Sequence, residues 1–64
     1  MKINNPKYNI GDTAYFKHHG LLKIGKIFKI NIEISEDKIE ISYWIKSKNS
    51  TFSIEEEFII KVDN

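Results

Sequence analysis

Residues 21–34, Leu21-Leu22-Lys23-Ile24-Gly25-Lys26-Ile27-Phe28-Lys29-Ile30-Asn31-Ile32-Glu33-Ile34, and residues 39–47, Ile39-Glu40-Ile41-Ser42-Tyr43-Trp44-Ile45-Lys46-Ser47, decide the fold. In the first run Ile24, Phe28, Ile30, Ile32 and Ile34 fall on alternate positions, with Lys26 the exception. Ile39, Ile41, Tyr43 and Ile45 repeat the pattern in the second. A period of two sets alternate side chains on one sheet face. The polar break Ser35-Glu36-Asp37-Lys38 has the length of a hairpin loop. The two runs therefore predict a long β-hairpin. The pattern slips where Ile27 and Phe28 stand side by side, two residues beyond Gly25, which predicts a bulge or sharp bend at the glycine, with Ile27 facing outward. Such a bend lets a small sheet curl and close.

The flanks supply three shorter strands. Thr13 to Lys17 reads as a strand with Ala14 and Phe16 inward and Tyr15 outward. Tyr8-Asn9-Ile10 is a short extended lead-in to it, and Gly11-Asp12 is a turn that Asp12 closes. His18-His19-Gly20 forms the tip before the long strand, where Gly20 supplies a positive φ. After a turn at Lys48-Asn49-Ser50, Thr51 to Ser53 is a fourth strand. Ser53 with Glu56 makes a capping-box pattern, and the acids Glu55, Glu56 and Glu57 suit a helix start. The span is too short for an α-helix, so a single 3₁₀ turn is predicted before a closing strand over Phe58 to Val62. The expected organisation is a flexible leader over residues 1–7 and one all-β, five-stranded domain over 8–64.

A chain of 64 residues makes one small domain, and such a domain buries only about 60% of its unfolded surface. Cysteine is absent, so no disulfide or thiolate site supplements the core. Residues 1–6 contain no apolar run of signal-peptide length, and no segment approaches the ~20 apolar residues of a membrane helix. A cytoplasmic protein with no cofactor is the expectation. The net charge of +1 is uneven. Residues 1–31 carry six lysines against Asp12, whereas residues 32–64 carry four lysines against eight acids. Every basic residue except histidine is lysine. Without arginine's planar fork, sequence-specific base reading is disfavoured.

Three segments carry a family resemblance: Tyr8-x-Ile10-Gly11-Asp12-x-Ala14-x-Phe16, Gly25-Lys26-Ile27, and Thr51-Phe52-x-Ile54-Glu55-Glu56-x-x-Ile59. Over residues 8–62 the chain resembles the SH3-like small β-barrel, and is similar to short KOW-like, Tudor-like and phage-encoded barrels. That resemblance implies a five-stranded barrel with one 3₁₀ turn before the last strand. It departs from the peptide-binding signalling SH3 domains, since an ALYDY-type segment and a tryptophan pair with a following Pro-x-x-Tyr are both missing.

Candidate contact residues follow from the alternation. Tyr43 and Ile45 read inward, which turns Trp44 outward, either to cover an open end of the barrel or pack on Ile27, or to touch a partner. Tyr15 also reads outward, and Tyr8 and Phe52 are placed at the rim. Exposed Trp and Tyr bury much surface at little entropic cost, as contact residues do. A second set, Lys17, Lys23, Lys26 and Lys29, interleaved with Tyr15 and Trp44, would suit a phosphate backbone. Ordinary solvated lysines that deter edge pairing explain it too. His18-His19 lacks the three or four ligands a zinc site uses, so no metal is expected. Glu55-Glu56-Glu57 reads as a solvated turn, with an acidic docking or nucleic-acid-mimicking patch as the other reading. No nucleophile–base–acid set and no Gly-rich phosphate loop occurs in the sequence. The sequence thus points to a non-catalytic binding module on a larger protein, of which a small phage or mobile-element inhibitor of a host enzyme is one version. The alternative is a nucleic-acid-binding barrel, and self-pairing as a homodimer fits either.

Overall fold

The computed structural model describes residues 5–63. Residues 1–4 of the predicted leader lie outside that range. Among the described residues are β1 (Thr13–His18), β2 (Leu21–Ile34), β3 (Ile39–Ser47), β4 (Ser50–Glu55) and β5 (Ile59–Asp63), with a 3₁₀ turn at Glu56–Phe58. They form one five-stranded sheet in the order β4-β3-β2-β1-β5, every neighbouring pair antiparallel. The ladder is open, with β4 and β5 as its edges.

Tight turns explain the meander. His18 pairs with Leu21, which leaves only His19 and Gly20 between β1 and β2. Their φ angles of 52° and 77° are the paired positive values of a type I′ hairpin turn. Ser35 N–H donates to the Lys38 carbonyl at 2.9 Å and closes the β2–β3 loop. Before β1, the Asp12 carboxylate accepts from Asn9 N–H at 2.9 Å, and Asp12 N–H donates to the Asn9 carbonyl at 3.1 Å. Gly11, at φ 98°, donates to the Ile27 carbonyl at 2.8 Å, and Ile27 N–H donates to the Asp12 carbonyl at 2.9 Å. The Gly-Asp turn thereby fastens the lead-in to β2.

β2 is the shared strand. Its residues 21–26 pair with β1 and its residues 26–34 with β3, so Lys26 alone belongs to both ladders. Gly25 lies at this corner. A Cβ on it would stand 2.6 Å from Ile45 Cγ2 and 2.6 Å from the Lys46 carbonyl oxygen. Glycine is there because β3 crosses against the backbone. The bulge itself is not at Gly25: the register slips between Ile27 and Lys29, making Phe28 the extra residue. An inserted residue swaps the face on which the following side chains fall. Ile27 is consequently inside, 1% exposed, and the expected outward placement is overturned. Ile24, on the same even-numbered series as Ile30, is outside and 49% exposed.

Ser53 is likewise not a helix cap. It sits in β4 opposite Trp44, and Glu55 precedes the 3₁₀ turn without a side-chain cap bond. Ladder pairing has claimed the residue that the capping pattern needed.

The core comprises Ala14, Phe16, Ile27, Ile41, Tyr43, Ile45 and Ile59. Phe16 of β1 meets Phe52 of β4 with ring centroids 5.3 Å apart, although two strands separate them in the ladder. The sheet therefore curls so that its inner faces pack on each other.

Candidate functional site

The sequence-predicted contact aromatics occupy different places. Tyr8 lies 5.4 Å from Tyr43 between ring centroids, and its N–H donates to the Tyr43 hydroxyl at 3.3 Å. That hydroxyl donates to Glu56 Oε2 at 2.6 Å, and the same oxygen accepts from Lys7 N–H at 3.1 Å. Burial, then the bond to Glu56, pushes the Tyr43 phenol up to about 12. This clamp ties residues 7 and 8 and the 3₁₀ turn to the core, and it uses the central member of the acidic triplet. Phe52 packs between Phe16 and His18, whose ring lies 4.8 Å away. Both Tyr8 and Phe52 thus pack against the core.

Tyr15 and Trp44 stand on the outer side, flanked by buried neighbours, and each is half-buried. Tyr15 lies between Ile24 on β2 and Lys61 on β5. Its hydroxyl donates to Asp63 Oδ2 at 2.8 Å, and Lys61 Nζ sits 4.6 Å from the ring centroid. The bond to Asp63, reinforced by that carboxylate's charge, holds the phenol above its ordinary pKa. Trp44 lies between Lys29 on β2 and Ser53 on β4. The structure does not bring these two aromatics together, because Tyr15 registers with Ile24 and Trp44 with Lys29, five positions along β2. Trp44 does not pack on Ile27 from outside, since Ile27 belongs to the core.

What the sequence reading missed surrounds Tyr15. Leu22 is 57% exposed and Ile24 49%, and both stand on the outer side of β2. On β5, Tyr15 registers with Lys61 but Phe16 with Ile59, so Ile60 is a second inserted residue, 55% exposed. An apolar stripe therefore runs from Tyr15 to Ile24 and Leu22 on the outer side, and Ile60 stands exposed at the β5 bulge next to it. Lys17 registers with Leu22, and Lys26 and Lys61 border the stripe. The signal was present in the doublets Leu21-Leu22 and Ile59-Ile60: two adjacent large apolar residues cannot both face one core in a regular strand.

β2 has no second ladder neighbour over residues 21–25. A groove of about 340 Å³ opens there, lined by Leu22, Ile24 and Phe52 with Lys23 and Lys48 at its margin. Ser47 Oγ donates to the Ile24 carbonyl across it at 2.7 Å. Lys23 registers with Phe16 rather than with the outer series, so it is set apart from Lys17, Lys26 and Lys29. At the other end of the molecule Lys38, Glu40, Glu55 and Glu57 gather beside Ile41. Lys38 Nζ pairs with Glu40 at 3.1 Å, and Glu57 beside Glu55 holds the Glu55 carboxyl above its ordinary pKa.

Among the described residues no group of three or more His, Asp or Glu side chains converges to hold a metal ion. No helix among them is long and apolar enough to cross a membrane. Comparison with known families, characterised proteins and solved structures gives no match to this chain.

Proposed function

We propose that the chain is a non-catalytic SH3-like binding module that docks on a larger protein through the outer face of β5, β1 and the first half of β2. The barrel reading draws on the meander order, the shared strand turning at Lys26, and the Phe16–Phe52 contact between β1 and β4. One observation carries the binding reading. Among the described residues nine large apolar side chains stand exposed against seven core residues, and Leu22 and Ile24 gather beside Tyr15, with Ile60 exposed next to them. A contiguous apolar patch rimmed by charge is the signature of an interaction site. Lys17, Lys26 and Lys61 at its rim select an acidic partner segment with apolar anchors. Inhibition of a host enzyme by a small phage or mobile-element protein is one concrete form of this activity.

The test compares the wild type with Leu22→Ser/Ile24→Ser as baits in source-cell lysate treated with nuclease, read by mass spectrometry. A protein retained by the wild type, lost with the double variant and weakened by salt is the expected result. Equal recovery by both baits, or recovery of none, defeats the reading. A nucleic-acid-binding barrel is the competing reading, and the outer placement of Lys17, Lys26 and Lys29 favours it. It requires affinity for single or double strands that falls steeply with salt and weakens when these lysines are neutralised.

A further inference from the structure

The outer face of the β2–β3 hairpin, which meets the docking stripe at Lys26, has a charge pattern that a single copy leaves largely uncompensated. Four cross-strand rungs run along it: Lys26 with Lys46, Lys29 with Trp44, Asn31 with Ser42, and Glu33 with Glu40. The first rung is two cations directly opposite one another, and the last is two anions. Like charges so placed destabilise a sheet. Among the described residues the one ion pair at these rungs is Lys38–Glu40, which leaves Glu33, Lys26 and Lys46 without a salt-bridge partner. The bulky rung carrying Trp44, with Phe28 bulged out beside it and 47% exposed, adjoins the small polar rung of Asn31 and Ser42.

We propose that this face pairs with the same face of a second copy, about a two-fold axis that lies between the two faces, parallel to the rungs and midway along them. An isologous contact requires a self-complementary surface, and this one has the needed order. The rotation sets Lys26 against Glu33 of the second copy and Lys46 against its Glu40. It also lays the Trp44 indole over the small side chain of Ser42, where the indole N–H finds a polar partner, and Lys29 over Asn31. Both like-charge rungs become opposite-charge contacts at once. The second copy is the occupant because the cationic and anionic rungs lie at equal distances from the centre. The patch is only about 20 Å long and falls below the ~800 Å² per partner of a standard interface. The dimer is accordingly weak and salt-sensitive, with dissociation in the micromolar range or above.

Sedimentation equilibrium at low ionic strength tests it, with Lys26→Glu/Lys46→Glu and Glu33→Lys/Glu40→Lys as variants and circular dichroism to verify folding. The wild type is expected to show a monomer–dimer equilibrium that shifts to monomer as salt rises. Each double variant alone has like charges at both ends and should lose at least about tenfold in association. An equimolar mixture of the two should recover it as a heterodimer, and Trp44→Ala in both members should weaken that heterodimer. A wild type that stays monomeric, variants that self-associate like wild type, or a mixture that does not associate would overturn the proposal. So would a heterodimer indifferent to Trp44, which would be charge attraction without the face contact. The docking test on Leu22 and Ile24 fails or succeeds independently, since neither residue belongs to the four rungs, although Lys26 borders both surfaces.

Discussion

The two halves of β2 are built from the same kind of sequence and do opposite things. In residues 29–34 the apolar members Ile30, Ile32 and Ile34 register with Tyr43, Ile41 and Ile39, on the inner side, and the polar members Lys29, Asn31 and Glu33 lie outside. In residues 21–26 the apolar members Leu22 and Ile24 lie outside, registered with Lys17 and Tyr15, and Gly25 is buried. One inserted residue, Phe28, separates these two arrangements. A single slip of register thus converts what would be core into an exposed apolar stripe. The lesson is that alternation selects a face within a segment but does not carry its phase across a bulge. Even on the inner side burial needs an opposing layer: Ile34, near the hairpin tip, is 54% exposed although it shares a side with Tyr43.

The most drastic way to break the comparison is Ile27→Asp, which puts an unpaired carboxylate into the core at the corner of β2. Loss of a cooperative urea transition is the expected result. Next comes Ile27→Ala, expected to cost about 2–5 kcal/mol in urea unfolding because it removes a buried side chain at the corner. Alkaline titration probes the clamp on the inner side. The Tyr43 phenol is held up at about 12 when folded, against an ordinary value near ~10 in the unfolded chain. Its contribution is therefore fully present below pH ~10 and is lost as pH rises through ~12, a decline of about 3 kcal/mol. Tyr43→Phe, which lacks the ionisation, should show a flatter alkaline decline. The smallest effect belongs to Ile24→Ala, expected to change stability by no more than about 0.5–1 kcal/mol, because the side chain is half exposed. Comparable losses for Ile27→Ala and Ile24→Ala would erase the distinction between the two halves.

Much of the architecture was legible. The bounds of β2 and β3, the four-residue loop between them and the inward Ala14 and Phe16 all follow from alternation and polar breaks. The location of the bulge was not. Gly25 is the conspicuous irregularity in the sequence, yet its glycine answers the close crossing of Ile45 and Lys46, a tertiary contact no local pattern encodes. The misplaced bulge then hid the stripe of Leu22 and Ile24 and turned Ile27 the wrong way. Tyr15 and Trp44 read correctly as outer residues because each sits between two buried ones. Tyr8 offers no such alternation, and its place against Tyr43 depends on a clamp formed by Glu56, far along the chain. Phe52 packs on Phe16 only because the sheet curls.

The inside-out exchange along β2 is tested most directly by methyl nuclear Overhauser contacts in solution. The account predicts that Ile27 methyls contact the ring protons of the core aromatics Phe16 or Tyr43, whereas Ile24 methyls contact Tyr15 and neither core ring. Ile24 methyls touching Phe16 or Tyr43, with Ile27 showing no core aromatic contact, would contradict it.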